Sequence, residues 1–118
     1  NYIARMREKV GHEGMIFVSA FGVLWNDAHD AILLEKRWDS DAGWGFPGGY
    51  LEYGDSPMQA VVREFKEETN IDVRVTRVLG IATNVTDKTL GVMRKKRLAW
   101  VLKLNKLVDF CKKMGRKR

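Results

Sequence analysis

The 118-residue chain holds one cysteine, Cys111, two prolines and two histidines. A lone thiol makes no internal disulfide, so stability must come from a hydrophobic core. His12 and His29 have no companions at metal-ligand spacing and read as loop histidines. No internal repeat or low-complexity stretch is present, and only Pro47 and Pro57 punctuate the chain. The longest apolar run, MIFVSAFGVLW over residues 15–25, falls well short of the roughly 20 residues of a membrane-spanning helix. Its β-branched and aromatic content makes it a buried strand, and no membrane partner is expected. No charged-then-apolar leader precedes that run, so the expected setting is cytoplasmic.

Length and a 45% hydrophobic content suit one globular domain over residues 1–118. Charge is uneven. Residues 94–118 carry eleven Lys or Arg against Asp109 alone, whereas the other residues carry ten basic and fourteen acidic groups. A basic end of this kind can meet phosphates, nucleic acid or an acidic partner, but it is also what a solvated face looks like. Trp100 and Phe110 read as core residues, and no interleaved stacking aromatics accompany the basic run. Nucleic-acid binding therefore ranks third among the readings.

The run at 15–25 and AILLEKR at 31–37 read as a hairpin joined by NDAHD, whose Asn26 and Asp27 are turn formers. A glycine- and aromatic-rich loop, DAGWGFPGG, follows at 41–49. Ser56 then offers an N-cap, Pro57 suits the first helical position, and Gln59 completes a capping box. Asn70 suits a left-handed C-terminal turn, which predicts a helix over 57–69. A strand resumes at Ile71 in VRVTRVLGI. Alternating Leu98, Trp100 and Leu102 predict another over 97–103. Leu104, Leu107, Val108, Cys111 and Met114 predict a terminal helix over 104–115.

On the helix, Met58, Val61, Val62 and Phe65 are the expected buried stripe, with Glu64, Glu67 and Glu68 together on another side. Like charges at that spacing cost about 0.2–0.5 kcal/mol per pair. Arg63 and Lys66 are too few to offset them, whereas a hard divalent cation such as Mg²⁺ binds clustered carboxylates and keeps sites open for phosphate oxygens. Gly48 and Gly49 permit close backbone approach, so a carbonyl there could join the same cation. Trp44 and Phe46 flank the turn and could stack on a ligand.

The segment GGYLEYGDSPMQAVVREFKEETNI resembles the signature of the Nudix hydrolases. Gly49 takes the family's first glycine, Asp55 its early glutamate and Arg63-Glu64 its Arg-Glu pair. Phe65 takes the apolar position, Glu67-Glu68 the acidic pair, Asn70 the late glycine and Ile71 the last apolar position. Asp55 keeps the charge one methylene shorter, and Asn70 can adopt glycine's left-handed conformation. The resemblance spans residues 49–71 in its signature and about 15–80 with its flanks, and the C-terminal part is short for the family.

The resemblance implies an α/β fold, an α/β/α sandwich with a mixed sheet, and hydrolysis of a nucleoside diphosphate linked to another moiety, water attacking phosphorus. Mg²⁺, or Mn²⁺, is the implied cofactor. Glu67 and Glu68 look like ligands, joined by the Gly48 carbonyl, with Glu52 as an additional candidate. Glu64 is either another ligand or the general base. Arg63 and Asp55 are the implied supporting pair. Arg37 is a candidate phosphate contact, while Trp44, Phe46 and Gly49 are candidate substrate neighbours. Asp87 is an alternative acid from a later loop. The implied partner is a small nucleotide-type diphosphate, and an exposed edge strand or terminal amphipathic helix could support a homodimer. The second reading is a Nudix-like module that senses a nucleotide or a partner without turnover.

Overall fold

The computed structural model describes residues 2–11, 13–36, 43–87 and 94–107, and the backbone alone for 84–87 and 94–95. Its elements in chain order are α1 (Tyr2–Val10), β1 (Met15–Leu24), β2 (Glu35–Lys36), β3 (Trp44–Gly45), β4 (Gly48–Tyr50), α2 (Pro57–Thr69), β5 (Val73–Asp87) and β6 (Arg94–Lys106). Four strands form one sheet in the order β4-β1-β6-β5, and β2 and β3 form a separate two-stranded ribbon. β1 runs antiparallel to β4 and parallel to β6, and β5 runs antiparallel to β6. The sheet is thus mixed, as expected for the α/β class.

α2 begins and ends where its punctuation says. The Ser56 hydroxyl accepts from the Gln59 N–H, and the Gln59 side chain accepts from the Ser56 N–H, so two otherwise orphaned donors are satisfied. Asn70 closes the helix at φ 60°, its N–H donating to the Lys66 carbonyl. The buried face differs from expectation. Ala60, Val61 and Phe65 are buried, whereas Met58 and Val62 are exposed. The row Ala60, Glu64, Glu68, spaced by four, therefore borders the core instead of lying opposite it. These three buried residues join Ala20, Leu24, Val73, Leu102 and Leu104 in one cluster. Gly22 lets the helix this close to the sheet, because a Cβ there would overlap the Phe65 and Leu104 side chains.

The expected hairpin is also corrected. The turn forms, with the Asn26 carboxamide oxygen accepting from the Asp30 and Ala31 N–H groups at 3.0 and 3.1 Å. Beyond it, among the described residues, only Trp25 and Ile32 bridge, and the Leu33 N–H reaches the Leu24 carbonyl. Residues 35–36 leave to pair with β3. The reason is competition for one edge: β4 occupies the antiparallel side of β1, with Ser19, Ala20 and Phe21 opposite Tyr50, Gly49 and Gly48.

The two later strands reach beyond the segments read from sequence. Val73–Asp87 pairs with Arg94–Lys106 over most of its length, interrupted by irregularities at Val75/Arg77 and Val78/Gly80. Leu104 is strand rather than helix, buried beside Leu102 in the core. Asn105 and Lys106 are strand too, and Leu107 follows with its N–H donating to the Asp72 carbonyl, because β6 continues its pairing with β5; residues 108–115 of the expected terminal helix, including Cys111 and Met114, lie outside the described residues. Helix α1 has no counterpart in the sequence reading and buries none of its residues.

Candidate active site

Gly48 and Gly49 sit on β4 against β1, directly below the side chains of α2. Gly48 has φ 151°, and a Cβ there would collide with the Ala20 carbonyl and stand 2.7 Å from the Phe21 Cα. Only glycine takes this conformation readily. Its N–H donates to Glu68 Oε2 at 3.3 Å. At Gly49 a Cβ would meet Glu64 Oε1 at 3.0 Å. The two acids one turn apart on α2 therefore converge on the glycine pair from the same row of the helix.

Glu67 does not share this position. Its side chain is 62% exposed, and its carboxylate lies 3.8 Å from the Arg63 guanidinium. Glu52, in the loop ahead of α2, accepts from the Tyr2 N–H at 3.2 Å. Trp44 and Phe46 are exposed. Arg37 and His12 lie outside the described residues, and so does the side chain of Asp87.

Arg63 and Asp55 form the scaffold beneath. One Arg63 terminal nitrogen contacts Asp55 Oδ2, and the other lies 3.3 Å from Glu64 Oε1. Asp55 Oδ2 also accepts from the Glu52 N–H at 3.0 Å. A chain of contacts thus runs from the loop through Asp55 and Arg63 to Glu64. The hydrogen bond from Arg63 holds the Asp55 carboxyl below its ordinary value of 3.8, partial loss of water opposing and the Glu52 N–H assisting. Asp55 in turn raises Arg63.

A depressed carboxylate binds fewer protons folded than unfolded, so its contribution is present above pH 3.8 and is lost as pH falls through the lowered value. Asp55→Asn should therefore cost about 1 kcal/mol at neutral pH, the usual worth of one charge-assisted hydrogen bond at a partly exposed site. It should also flatten the acid limb of a urea-denaturation pH profile. An unchanged profile would show that the pair is idle.

Sequence reasoning missed Glu35. This acid on β2 and Glu64 both crowd the Glu68 carboxyl closely enough for hydrogen bonding among protonated carboxyl groups. Loss of water, then those hydrogen bonds, then the two neighbouring charges push Glu68 up to about 8. Glu68 keeps an exposed outer surface, which limits its loss of water and leaves the two neighbouring carboxyl groups as the specific cause. The only signal in the sequence was an acid following ILL in a strand-like run, which gives no hint of its direction.

Three carboxyl groups beside two glycines offer the hard oxygen donors that a divalent cation takes. Among the described residues, no three acidic, His or Cys side chains stand in metal-ligating geometry. Glu68 is instead satisfied by the Gly48 N–H, so the match is one of donor chemistry. Glu64 and Glu68 are the side chains that would hold a cation. With a divalent cation bound, such an arrangement could neutralise and orient a chain of phosphates at the mouth of the glycine turn.

The family model described as NUDIX domain matches residues 16–103. A MutT-like protein of Streptomyces ambofaciens is 39% identical over 69 residues, 58% of this chain and 44% of the relative. Among solved structures, a MutT protein from Methanosarcina mazei Go1 superposes with a TM-score of 0.64 at 27% identity, covering 82% of this chain and 69% of that one. A NUDIX hydrolase from Nitrosomonas europaea gives 0.63 at 28% identity, covering 78% and 60%. The chain thus spans under half the length of its curated relative. The matched region runs well past residue 80, because β5 and β6 supply strands that the short sequence signals at 71–80 and 97–103 understate.

Proposed function

The chain belongs to the NUDIX family, and from that premise we propose that it hydrolyses a pyrophosphate bond in a nucleoside diphosphate linked to another moiety. The observation that carries this reading is the convergence of Glu64 and Glu68 on Gly48 and Gly49. The names of the relatives, MutT-like protein and NUDIX hydrolase, support the same class.

Glu64 and Glu68 would present carboxylate oxygens to a divalent cation beside the diphosphate, with Glu67, Glu52 and the Gly48 carbonyl as further donors. Glu64, as the alternative to a ligand role, takes the proton of the attacking water. Arg63, anchored by Asp55, keeps the Glu64 carboxylate turned toward Gly49. Trp44 and Phe46 offer π-faces for a base, and Arg37 would meet phosphate. A bound divalent cation, Mg²⁺ or Mn²⁺, would supply charge neutralisation and a more acidic water.

The test is phosphate or nucleotide release from nucleoside triphosphates, nucleotide sugars, ADP-ribose and dinucleoside polyphosphates, with and without Mg²⁺ or Mn²⁺. Cation-dependent release from one class is the expected result. Absence of release from a folded protein across the whole panel overturns the reading in favour of a sensing module.

A further inference from the structure

Helix α1 poses a physical problem. Nine residues are too few for a stable helix in water, and this one contributes nothing to the core. It is tied instead to the loop of the candidate active site. The Tyr2 N–H donates to Glu52 at 3.2 Å, and the Tyr2 and Tyr53 rings stack with centroids 6.4 Å apart at 29°. Between helix and loop lies a pocket of about 420 Å³ lined by Tyr2, Arg5, Met6, Glu8, Lys9 and Tyr53, a size in the range of small-molecule sites.

The lining combines two kinds of recognition. Tyr53 lines the pocket and is 89% exposed, so its ring stays accessible even though it stacks on Tyr2. Arg5 and Lys9, one helical turn apart, are two exposed cations on the opposite wall. An aromatic face suits a planar base, and paired cations suit a phosphate. Glu8 can accept from sugar hydroxyls. The location matters as much. Tyr53 follows the Gly48–Gly49 turn by a few residues, and Trp44 and Phe46 precede it, so aromatic groups stand on both sides of the glycine turn in the chain.

We propose that this pocket binds a nucleoside monophosphate group, the moiety of the substrate beyond the diphosphate, with its base on Tyr53 and its phosphate on Arg5 and Lys9. The assignment rests on the proposed hydrolysis for the word substrate, but the pocket's binding can be read without turnover.

Calorimetric titration of the full chain with AMP, without divalent cation, is the first arm, with adenosine and inorganic phosphate as partial probes. AMP should bind more tightly than either. Tyr53→Ala and Arg5→Glu should each weaken AMP by about ten- to hundredfold, the range of one lost base stack or phosphate contact. Tyr53→Phe should restore binding, which separates the stack from a folding defect. Equal AMP affinity in the parent, Tyr53→Ala and Arg5→Glu proteins, or no AMP binding by the parent, overturns the proposal. Turnover is the separate arm. AMP binding that depends on Tyr53 in a protein without hydrolysis would uphold the pocket and refute the hydrolase reading. Hydrolysis with KM unmoved by Tyr53→Ala would refute the pocket and uphold the reading.

Discussion

Glu68→Gln is expected to abolish cation-dependent turnover, by about 10²–10⁴-fold, while leaving the protein folded. The side chain lies at the exposed border of the core, and glutamine keeps an oxygen to accept from Gly48. Stability should respond in the opposite sense to activity. With Glu68 pushed up to about 8 from 4.5, the folded chain retains a proton between those values that the unfolded chain releases. Stability therefore falls as pH rises across that window, and the decline is complete only above the upper value. Glutamine cannot ionise, so the variant should lose this slope and match or exceed the parent's melting temperature at pH 8. Added Mg²⁺ should raise the parent's melting temperature more at pH 8 than at pH 5. A variant that unfolds, or one that turns substrate over at the parent rate, would remove Glu68 from the site.

The largest effect on stability is expected from Gly48→Ala. Two penalties add there: a φ of 151° that L-residues avoid, and a Cβ driven into the Ala20 carbonyl. Each is worth about 1–3 kcal/mol, giving about 2–6 kcal/mol together. Relief would require β4 to move away from β1, which would break the bond from the Gly48 N–H to Glu68 and separate the glycine turn from the acids. Activity should therefore fall with stability. Gly54→Ala is the control, since a Cβ there meets nothing within 4 Å and the backbone is unstrained. It should be neutral within about 0.5 kcal/mol. Urea denaturation of the two variants side by side decides the matter, and equal midpoints would show that β4 yields without cost.

Much of the site was readable because its signals are local. Ser56, Pro57, Gln59 and Asn70 act within one turn of the helix ends they define, so the boundaries of α2 follow from short-range hydrogen bonding. The spacing of Glu64 and Glu68 likewise needs only the helical period. The difference at Met58 and Val62 comes from apolar periodicity, which ranks residues by hydrophobicity, whereas the small Ala60 is fully buried and Phe65 is the side chain that packs over Gly22.

Other features depended on pairing choices made far along the chain. Residues 31–37 have the composition of a strand, but the edge of β1 they would occupy is taken by β4, and only the tertiary arrangement decides between two candidates for one row of hydrogen bonds. Glu35 enters the carboxyl cluster as a result of that diversion. Helix α1 depends on Tyr53 and Glu52, some fifty residues away, and a short helix without a core face has no periodic signal strong enough to announce it. The sequence alone determined the signature helix, its caps, the spacing of its acids and the glycine turn, because each depends on neighbours within a few residues. Tertiary structure decided which acids share a site, which edge each strand takes and where α1 lies, because those outcomes depend on which distant groups compete for the same space, hydrogen bonds and charge.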